Sequence, residues 1–575
     1  MRLTSILAVR CSLLLCAALP LAAQDFDKVA PKPVPSIPPQ PLPATEPPKV
    51  IDDRTPLVAK LKGVVILDSI AAVKSTAETA VGLVPSTTDL TQTDAFRALV
   101  APYLGKPLDM GGLNQLSRAI ILHFRKADRP VVDVVVPEQD ITAGTLQIVI
   151  IEGRAGRVRV EGNRWFSTRR IGGQVRLQPG EPIRASVLQS DLAWINQNPF
   201  RTVDVVFSPG ENPGETDLVF RTQDRLPLRL YTGYENTGND LTGETRLFAG
   251  VNWGNAFGLD GQLNYQFGTS DDFDAVRTHS VTWTQPLPWR HTLTLFGAHV
   301  NSEAKTGPFT LSGESSQAGL RYTVPLPAIG AYTHEVYAGF DWKRADNALE
   351  FGIPITNSLT QIGQGVLGYR GALRDRFGVT QLQLEGFRNA AGLLSQQNPA
   401  DYAGSRPGAD PDFSYVRVDL SRQTRLPADF TLSHSLSAQL ASTNLLPSEQ
   451  LPVGGRGSVR GYEENALTAS DEGWTIQNEL RTPAFSVGGW VARQLGGQVP
   501  SRWHDQLQFL VFYDYGQAHP DDGATGLTTL AAVGAGVRYS VGSHVNVQAD
   551  YGHRLRDIPG DNDDGRWHLS AMLSW

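Results

Sequence analysis

The sequence predicts two small α+β modules followed by an all-β transmembrane barrel of about 16 antiparallel strands. From Leu226 to the C-terminus, segments of about 10 residues alternate apolar and polar side chains, as strands with two different faces must. The links between these segments alternate between short and long. Beyond residue 23 no apolar run reaches the roughly 18 residues that a spanning helix needs, so any membrane crossing is made by strands.

Residues 1–23 resemble a secretory signal, with a positive charge at Arg2, a Leu/Ala-rich stretch and a small residue at Ala23. A membrane anchor is the alternative. Both cysteines, Cys11 and Cys16, lie inside this segment, so the exported chain is expected to form no disulfide and no Cys-ligated metal site. The net charge of −7, without a basic block, argues against nucleic acid as a partner.

Residues 24–56 are predicted to form an extended, proline-rich spacer. Ten prolines fall between residues 31 and 56, and proline both fixes φ and removes a hydrogen-bond donor. A proline-rich docking ligand is the alternative interpretation of the same composition.

Residues 57–153 and 154–225 are predicted to be two α+β modules built on the same plan. Each combines an amphipathic helix with a following pair of strand-like runs, although a single α+β domain would also fit. The apolar faces of the two predicted helices carry Leu113, Leu116, Ile120 and Phe124 in the first and Leu188, Leu192 and Ile195 in the second.

Residues 226–575 are predicted to form the barrel. On the segment 506–516, for example, Phe509, Val511 and Tyr513 share one face, whereas Asp514 lies on the other. Short links alternate with longer polar ones, as tight periplasmic turns and long outer loops do in bacterial barrels. The long links predicted are residues 344–358, 388–413 and 442–472, and the link 485–504 is unexpectedly long for an inner turn.

The predicted loop 442–472 contains a glycine-rich stretch with the sequence Val459-Arg460-Gly461-Tyr462. A later strand carries Phe512, Asp514 and Gly516, and its alternation turns Asp514 toward the lumen. A guanidinium can grip a carboxylate through two parallel hydrogen bonds. The same stretch could also be a flexible loop or a phosphate cradle, but the Lys-Ser/Thr pair of a P-loop is missing.

These features resemble the TpsB-type transporters of two-partner secretion, the exporters of hemolysin- and adhesin-like proteins. The two modules are similar to the polypeptide-transport-associated (POTRA) domains of that family. The resemblance implies that the loop 442–472 folds back into the barrel and that Arg460 meets Asp514 on the inner wall. Trp575 resembles the final aromatic residue by which barrels are recognised for insertion, although an ordinary interface-belt aromatic would look the same.

The resemblance implies an outer-membrane pore whose N-terminal modules lie in the periplasm and capture the cargo. The expected partners are a secreted exoprotein with an N-terminal secretion domain, outer-membrane lipid and the barrel-assembly machinery. The alternatives are a factor that assembles other barrels and a passive porin. No catalytic motif and no cofactor site is expected. A plug helix, common in the family, is doubtful because only about seven residues precede the prolines.

Overall fold

The structure, a computed structural model, has two compact units, one of residues 36–227 and one that joins residues 1–35 to Leu228–Trp575. The predicted signal 1–23 lies outside the described residues, as does the spacer between residues 36 and 52. The structure describes residues 26–35, 53–75, 79–307, 309–350, 354–467, 470–494, 504–519, 529–558 and 563–575.

The first module has a mixed four-stranded sheet in the order β3-β2-β6-β5 and a two-stranded β1-β4 ladder. Its main helix begins where the Asp109 carboxylate accepts a hydrogen bond from the Gly112 N–H at 2.7 Å, which caps the first turn. The predicted apolar face of that helix is buried in the module's core. The elements are β1 Pro56–Val58, β2 Gly63–Leu67, β3 Gly82–Val84, α1 Asp94–Val100, β4 Leu108–Asp109, α2 Met110–Lys126, β5 Val132–Val135 and β6 Thr145–Glu152, with 3-10 turns at Ile70–Ala72, Asp89–Gln92 and Ala101–Tyr103.

The second module has a three-stranded sheet in the order β7-β9-β8, so β7 and β8 are its edge strands. Its longer helix buries Leu188, Leu192 and Ile195, the face that the sequence predicts. The elements are β7 Arg154–Glu161, α3 Thr168–Gly172, α4 Ala185–Ile195, β8 Arg201–Pro209 and β9 Glu215–Asp224.

The predicted barrel is confirmed: sixteen antiparallel strands, β10 to β25, form a closed cylinder. Five residue pairs close it, from Tyr231 opposite Ser574 to Glu235 opposite Ser570. The strands are β10 Leu228–Glu235, β11 Arg246–Ala256, β12 Gly261–Thr269, β13 Val276–Pro286, β14 Thr292–Thr306, β15 Phe309–Pro325, β16 Tyr332–Glu350, β17 Pro354–Arg374, β18 Gly378–Asn389, β19 Ser414–Arg425, β20 Thr431–Ala441, β21 Glu472–Arg481, β22 Asp505–His519, β23 Thr529–Val541, β24 Val545–Arg554 and β25 Gly565–Ser574.

The two faces of the barrel strands differ as the alternation predicts. On β22, Phe509, Val511 and Tyr513 are exposed on the outer surface, whereas Phe512 and Asp514 are buried on the inner one. In the described part of the chain no helix has the length and apolarity required to cross a membrane.

One predicted link differs from the structure, and another, predicted to be long, contains a helix. The predicted loop 344–358 is wrong, because β16 and β17 continue into it and pair up to Glu350 opposite Pro354. Strands of about ten residues already span a bilayer, so the extra length of this hairpin lies outside the membrane, where polar residues on both faces are tolerated. The unexpectedly long link 485–504 contains the helix α6, Val487–Gln494. Elsewhere, α5 (Pro399–Ser405) lies in the link from β18 to β19, and a 3-10 turn occupies Pro427–Asp429.

Candidate functional site in the barrel lumen

The loop between β20 and β21, described at residues 442–467 and 470–471, lies inside the barrel, and we refer to it as the lumen loop. Its apolar side chains pack on the inner faces of β22 and β23, where small residues leave room for them. This buried cluster includes Leu451, Val453, Val459, Tyr462 and Leu467 of the loop with Ala518, Leu530 and Ala532 of the wall. The loop is therefore docked by packing as well as by charge.

Arg460 of the predicted motif binds Asp514 on β22 in the two-pronged geometry that the sequence suggests. Its Nε donates to Oδ2 at 2.7 Å and its Nη2 to Oδ1 at 2.9 Å, while the Arg460 main-chain N–H donates to Oδ2 at 3.2 Å. The Asp514 side chain is 0% exposed. Parallel hydrogen bonds of this kind hold both the position and the orientation of the guanidinium.

Two further carboxylates face the same guanidinium. Nη1 of Arg460 donates to Glu479 Oε1 at 2.6 Å and lies 3.6 Å from Asp550 Oδ2. The Phe512 ring supports the guanidinium from one side, 3.6 Å from its carbon to the ring centre, which is close enough for a cation–π contact. Arg538 neutralises the remaining charge of Asp550 through two hydrogen bonds of 2.5 and 2.7 Å.

Gly461 passes very close to the wall strand β24. Its φ is +92°, a conformation that favours glycine, and a Cβ there would lie 2.9 Å from the Gly552 carbonyl oxygen. The Gly461 N–H donates to His568 Nε2 at 2.9 Å, and its carbonyl accepts from Arg554 Nε at 2.6 Å. A larger residue here would lift the motif off the wall.

Tyr462 and Gly516 complete the motif. The Tyr462 hydroxyl donates toward the carbonyl oxygens of Ala531 and Arg556, at 2.8 and 2.7 Å. These contacts connect the lumen loop to β23 and to the outer loop between β24 and β25. Gly516 leaves space for Val459, because a Cβ on Gly516 would approach Val459 Cγ2 to 2.8 Å. The three residues of the Phe512-Asp514-Gly516 pattern thus contact the same loop: the Phe512 ring and the Asp514 carboxylate bind Arg460, and Gly516 leaves space for the Val459 side chain.

A second buried anchor holds the beginning of the lumen loop, and sequence reasoning missed it. The Glu449 carboxylate accepts from Lys343 Nζ at 2.7 Å, from Gln364 Nε2 at 3.0 Å and from the Tyr415 hydroxyl at 2.8 Å. Its carbonyl accepts from Gln439 Nε2 at 3.0 Å. These partners belong to β16, β17, β19 and β20, a different sector of the wall from the one that Arg460 contacts.

The end of the lumen loop is held by its neighbouring outer loop. Arg406, which follows α5, donates from Nη1 and Nη2 to the two carboxylate oxygens of Asp471, at 2.5 and 2.7 Å. Asp471 also accepts from the Leu445 N–H at 2.9 Å, so the two ends of the loop are joined.

Residues 26–35 also lie against the inner wall, and this corrects the prediction that the whole segment 24–56 is a free spacer. A single helical turn, Phe26–Val29, is followed by residues without regular secondary structure. The Val29 carbonyl accepts from Gln266 Nε2 at 3.3 Å and from Ser280 Oγ at 2.6 Å, and the Val29 side chain packs on Ala298 and Val300.

A short plug segment, residues 26–35, therefore lies in the barrel, although the sequence makes a plug helix doubtful. The stability of an isolated helix is the wrong criterion, because side chains of the wall hold a segment of which only one turn is helical. Glu235 of β10 links it to the lumen loop: its Oε1 accepts from Lys32 Nζ at 3.1 Å and lies 3.5 Å from Arg456 Nη1. Lys28 Nζ donates to Asn465 Oδ1 at 2.7 Å.

A polar cavity of about 400 Å³ remains between the Arg460 contacts and the end of the barrel where β21 finishes and β22 begins. Because the lumen loop leads into β21 at the opposite end of that strand, the cavity lies on the far side of the motif from the outer loops. Charged and amide side chains line it, among them Arg481, Gln506, Gln508, Arg538 and Asn546.

Trp575 lies at the seam between the first and last strands and is exposed on the outer surface. Its N–H donates to the Leu230 carbonyl and its carbonyl accepts from the Leu230 N–H, both at 3.0 Å.

Among the described residues, one trio of carboxylates, Asp240, Glu244 and Glu463, has oxygens within 4.8 Å of one another. Arg566 pairs with Glu244 and Glu463 at 3.0 and 3.2 Å.

A sixteen-stranded barrel with an inward-folded loop and preceding α+β modules defines the class of outer-membrane protein transporters with periplasmic POTRA domains. The family model described as "Haemolysin secretion/activation protein ShlB/FhaC/HecB" matches residues 214–539, and "POTRA domain, ShlB-type" matches residues 83–153. The chain belongs to this haemolysin secretion/activation family, the TpsB transporters that the sequence suggested. Members of the family export secreted partner proteins across the outer membrane and are transporters rather than enzymes.

Individual relatives agree with this assignment. The chain is 23% identical over 494 residues to the heme/hemopexin transporter protein HuxB of Haemophilus influenzae, covering 84% of each protein. It is 22% identical to the outer membrane transporter CdiB of Dickeya dadantii, over 68% of this chain and 70% of the other. The solved structure of CdiB from Escherichia coli has the same fold, with a TM-score of 0.70, 19% identity and coverage of 93% and 94%.

Proposed function

We propose that this transporter exports one large adhesin- or hemolysin-like protein, in unfolded form, through the lumen of its own barrel. The observation that carries the proposal is the way in which the lumen is closed. The lumen loop and residues 26–35 occupy it through side-chain contacts and a few main-chain bonds, outside the strand ladder of the wall. Both segments can therefore leave the lumen while the sixteen strands stay paired.

Release of the lumen loop is the gating step in this proposal. Arg460 and the carboxylates of Asp514, Glu479 and Asp550 form its closed state. A charged group that loses its partner in the lumen is exposed to a polar, hydrated cavity instead of to lipid, so the open state is accessible. The periplasm supplies no ATP and the chain contains no nucleotide motif, so folding of the cargo outside the cell drives transport.

The two modules, residues 57–153 and 154–225, capture the cargo before it enters the lumen. An extended segment can add to the edge of a sheet, since main-chain pairing gives affinity without a fixed side-chain sequence. In the second module the start of the edge strand β7 is already covered, because the Ala155 N–H donates to the Glu181 carbonyl and Arg154 pairs with Pro182. The nine-residue edge strand β8, Arg201–Pro209, is the preferred docking strand over its second half, because the Asn196 side chain binds the N–H and the carbonyl of Val203 near its start.

The outer surface of the barrel indicates two further partners, the membrane lipid and the machinery that inserts barrels. Outer-membrane lipid contacts the exposed apolar faces of the barrel strands, and the barrel-assembly machinery recognises the final strand with its exposed Trp575. The cargo carries an N-terminal secretion domain, which is the part that the modules bind. The gene next to the transporter gene is the first place to look for it, as a large repeat-rich exported protein.

A chain without its modules tests this proposal. It keeps residues 1–35, because residues 26–35 contact the barrel wall, and continues directly with residues 226–575. We expect it to insert and to conduct ions but to display no cargo at the cell surface. Normal cargo display would refute the role of the modules. If depletion of the whole protein lowers the amounts of many unrelated outer-membrane barrels, the protein is an assembly factor. If its activity is the uptake of small solutes, and the chain without modules retains that uptake, the protein is a porin.

A further inference from the structure

The helix α6, Val487–Gln494, presents an apolar surface for which the barrel wall provides no cover. Val487, Trp490 and Val491 lie at helical spacings of three and four, which places them on one face, and all three are exposed. Trp490 is 58% exposed. Another turn at this end of the barrel, residues 542–544, needs only three residues to connect its strands. An exposed apolar helix face in a longer turn indicates a surface that binds a partner.

The turn that carries α6 is attached firmly to the end of β22. The N-terminus of the helix is capped by Asp505, the first residue of β22, whose carboxylate accepts from the N–H groups of Val487 at 2.8 Å and Gly488 at 3.0 Å. Ser486 Oγ donates to the same carboxylate at 2.5 Å. The helix is thus held against the strand end and does not extend freely into solution.

The exposed face of α6 continues the lipid-facing surface of the barrel. Phe485, directly before the helix, pairs with Leu507 through two main-chain hydrogen bonds of 3.0 and 2.8 Å. This pairing puts Phe485 on the outer face, and its ring lies 6.0 Å from that of Phe509. Outer-face residues Val511 and Tyr513 follow on the same strand. The apolar outer face of β22 therefore continues to Phe485, two residues before the first residue of the helix.

Other turns at this end of the barrel also carry exposed aromatic residues. Phe257 lies between β11 and β12, Trp289 between β13 and β14, and Phe377 between β17 and β18, and all three are more than half exposed. Trp575 ends the final strand at the same level. Aromatic side chains of this kind form the belt of a membrane protein at the boundary between headgroups and acyl chains.

From this continuity we infer that α6 is a membrane-interface anchor, with Phe485, Val487, Trp490 and Val491 embedded in the periplasmic leaflet of the outer membrane. The occupant of this surface is phospholipid. The helix lies in the plane of the interface with its apolar face inserted, as amphipathic surface helices do. It fastens the β21–β22 turn, and with it the strand that carries Asp514, to the bilayer.

The test uses the absence of cysteine from residues 24–575. The variant Trp490→Cys carries one thiol, which is labelled with an environment-sensitive fluorophore in the full chain and reconstituted into phosphatidylcholine vesicles. Some vesicles contain lipids brominated near the headgroup and others lipids brominated near the chain end. Tyr513→Cys, in the middle of β22, is the control for deep exposure, and Ser543→Cys, in the short β23–β24 turn, is the control for water.

We expect the label at residue 490 to be quenched severalfold more strongly than the label at residue 543. Bromine near the headgroup should quench it best, whereas the label at residue 513 should respond most to bromine near the chain end. Mobility on an unboiled gel confirms that each labelled barrel is folded. Quenching at residue 490 as weak as at residue 543 would overturn the inference, because the helix would then face water. A blue-shifted label that no brominated lipid quenches would overturn it as well, since a protein surface would then cover the helix.

Discussion

The sharpest prediction concerns the charge cluster that closes the lumen, and it is tested with Arg460→Ala, Asp514→Ala and the double variant. Arg460→Ala removes three hydrogen bonds from the guanidinium to Asp514 and Glu479 and leaves a fully buried carboxylate without its counter-charge. Loss of one partner of a buried pair costs about 3–5 kcal/mol, and water in the lumen reduces this, so we expect about 3 kcal/mol. The released fraction of the lumen loop should rise by a factor on the order of 100.

Asp514→Ala should cost less than Arg460→Ala. In this variant Arg460 still contacts Glu479 at 2.6 Å and lies 3.6 Å from Asp550, so its charge keeps a partner. We expect roughly half of the Arg460 effect. The double variant should resemble Arg460→Ala alone, which corresponds to a coupling energy of about 1.5 kcal/mol between the two side chains.

The assay follows the labelling of Ser458→Cys, a buried position in the lumen loop, by a membrane-impermeant maleimide. When the loop opens and closes faster than the reagent reacts, the labelling rate reports the released fraction. Arg456→Ala is the matched control: Arg456 lies in the same loop, but it is partly exposed and contacts Glu235 and Gln548 rather than a fully buried carboxylate, so the rate should rise much less than for Arg460→Ala. Strictly additive losses from Arg460 and Asp514, or an Arg456 effect as large as that of Arg460, would refute the reasoning.

Three further predictions concern other contacts of the lumen. Glu449→Gln should raise the labelling rate of Ser458→Cys about tenfold, because the charge pair with Lys343 is lost while the hydrogen bond from Tyr415 can persist; an unchanged rate would show that this anchor does not hold the loop. Gly516→Val should release the loop as well, since its side chain would meet Val459, whereas Gly365→Val, with open space at its Cβ, should leave labelling and barrel folding unchanged. Deleting residues 26–35 should increase single-channel conductance severalfold, since these residues occupy the lumen; equal conductance would mean that the segment does not obstruct the pore.

The sequence predicts those parts of the structure that depend on local patterns. Alternation along a single strand is enough to turn Asp514 inward and Val511 outward, because successive side chains point to opposite faces. The Arg460–Asp514 contact was implied by the resemblance to the family, whereas the alternation of the strand by itself predicts only that Asp514 faces inward. The same alternation could have singled out Glu479 and Asp550 as inward-facing, but it could not show that both meet Arg460.

The contacts that the sequence did not predict depend on the path of a loop through space. Lys343 and Glu449 are 106 residues apart, and only the route of the lumen loop across the barrel brings them together. Proline content predicts a spacer near the N-terminus but could not show that residues 26–35 enter the barrel. Strand length was underestimated at residues 344–358, because polar residues on both faces suggest a loop when no membrane surrounds them.

The two segments that fill the lumen should leave it at different rates, because their contacts differ in kind. Residues 26–35 are held by hydrogen bonds of neutral groups, by the charged donors Lys28 and Arg229 on neutral acceptors, and by the partly exposed pair of Lys32 with Glu235 at 3.1 Å. A pair of this type is worth about 1 kcal/mol or less, whereas the lumen loop has buried charge pairs at two sectors of the wall. We therefore expect Val29→Cys to react with the maleimide faster than Ser458→Cys. Adding Arg460→Ala to each variant should reduce the difference between the two labelling rates. If Ser458→Cys reacts first, the lumen loop is the weaker of the two closures, and the buried charges stabilise it less than their geometry indicates.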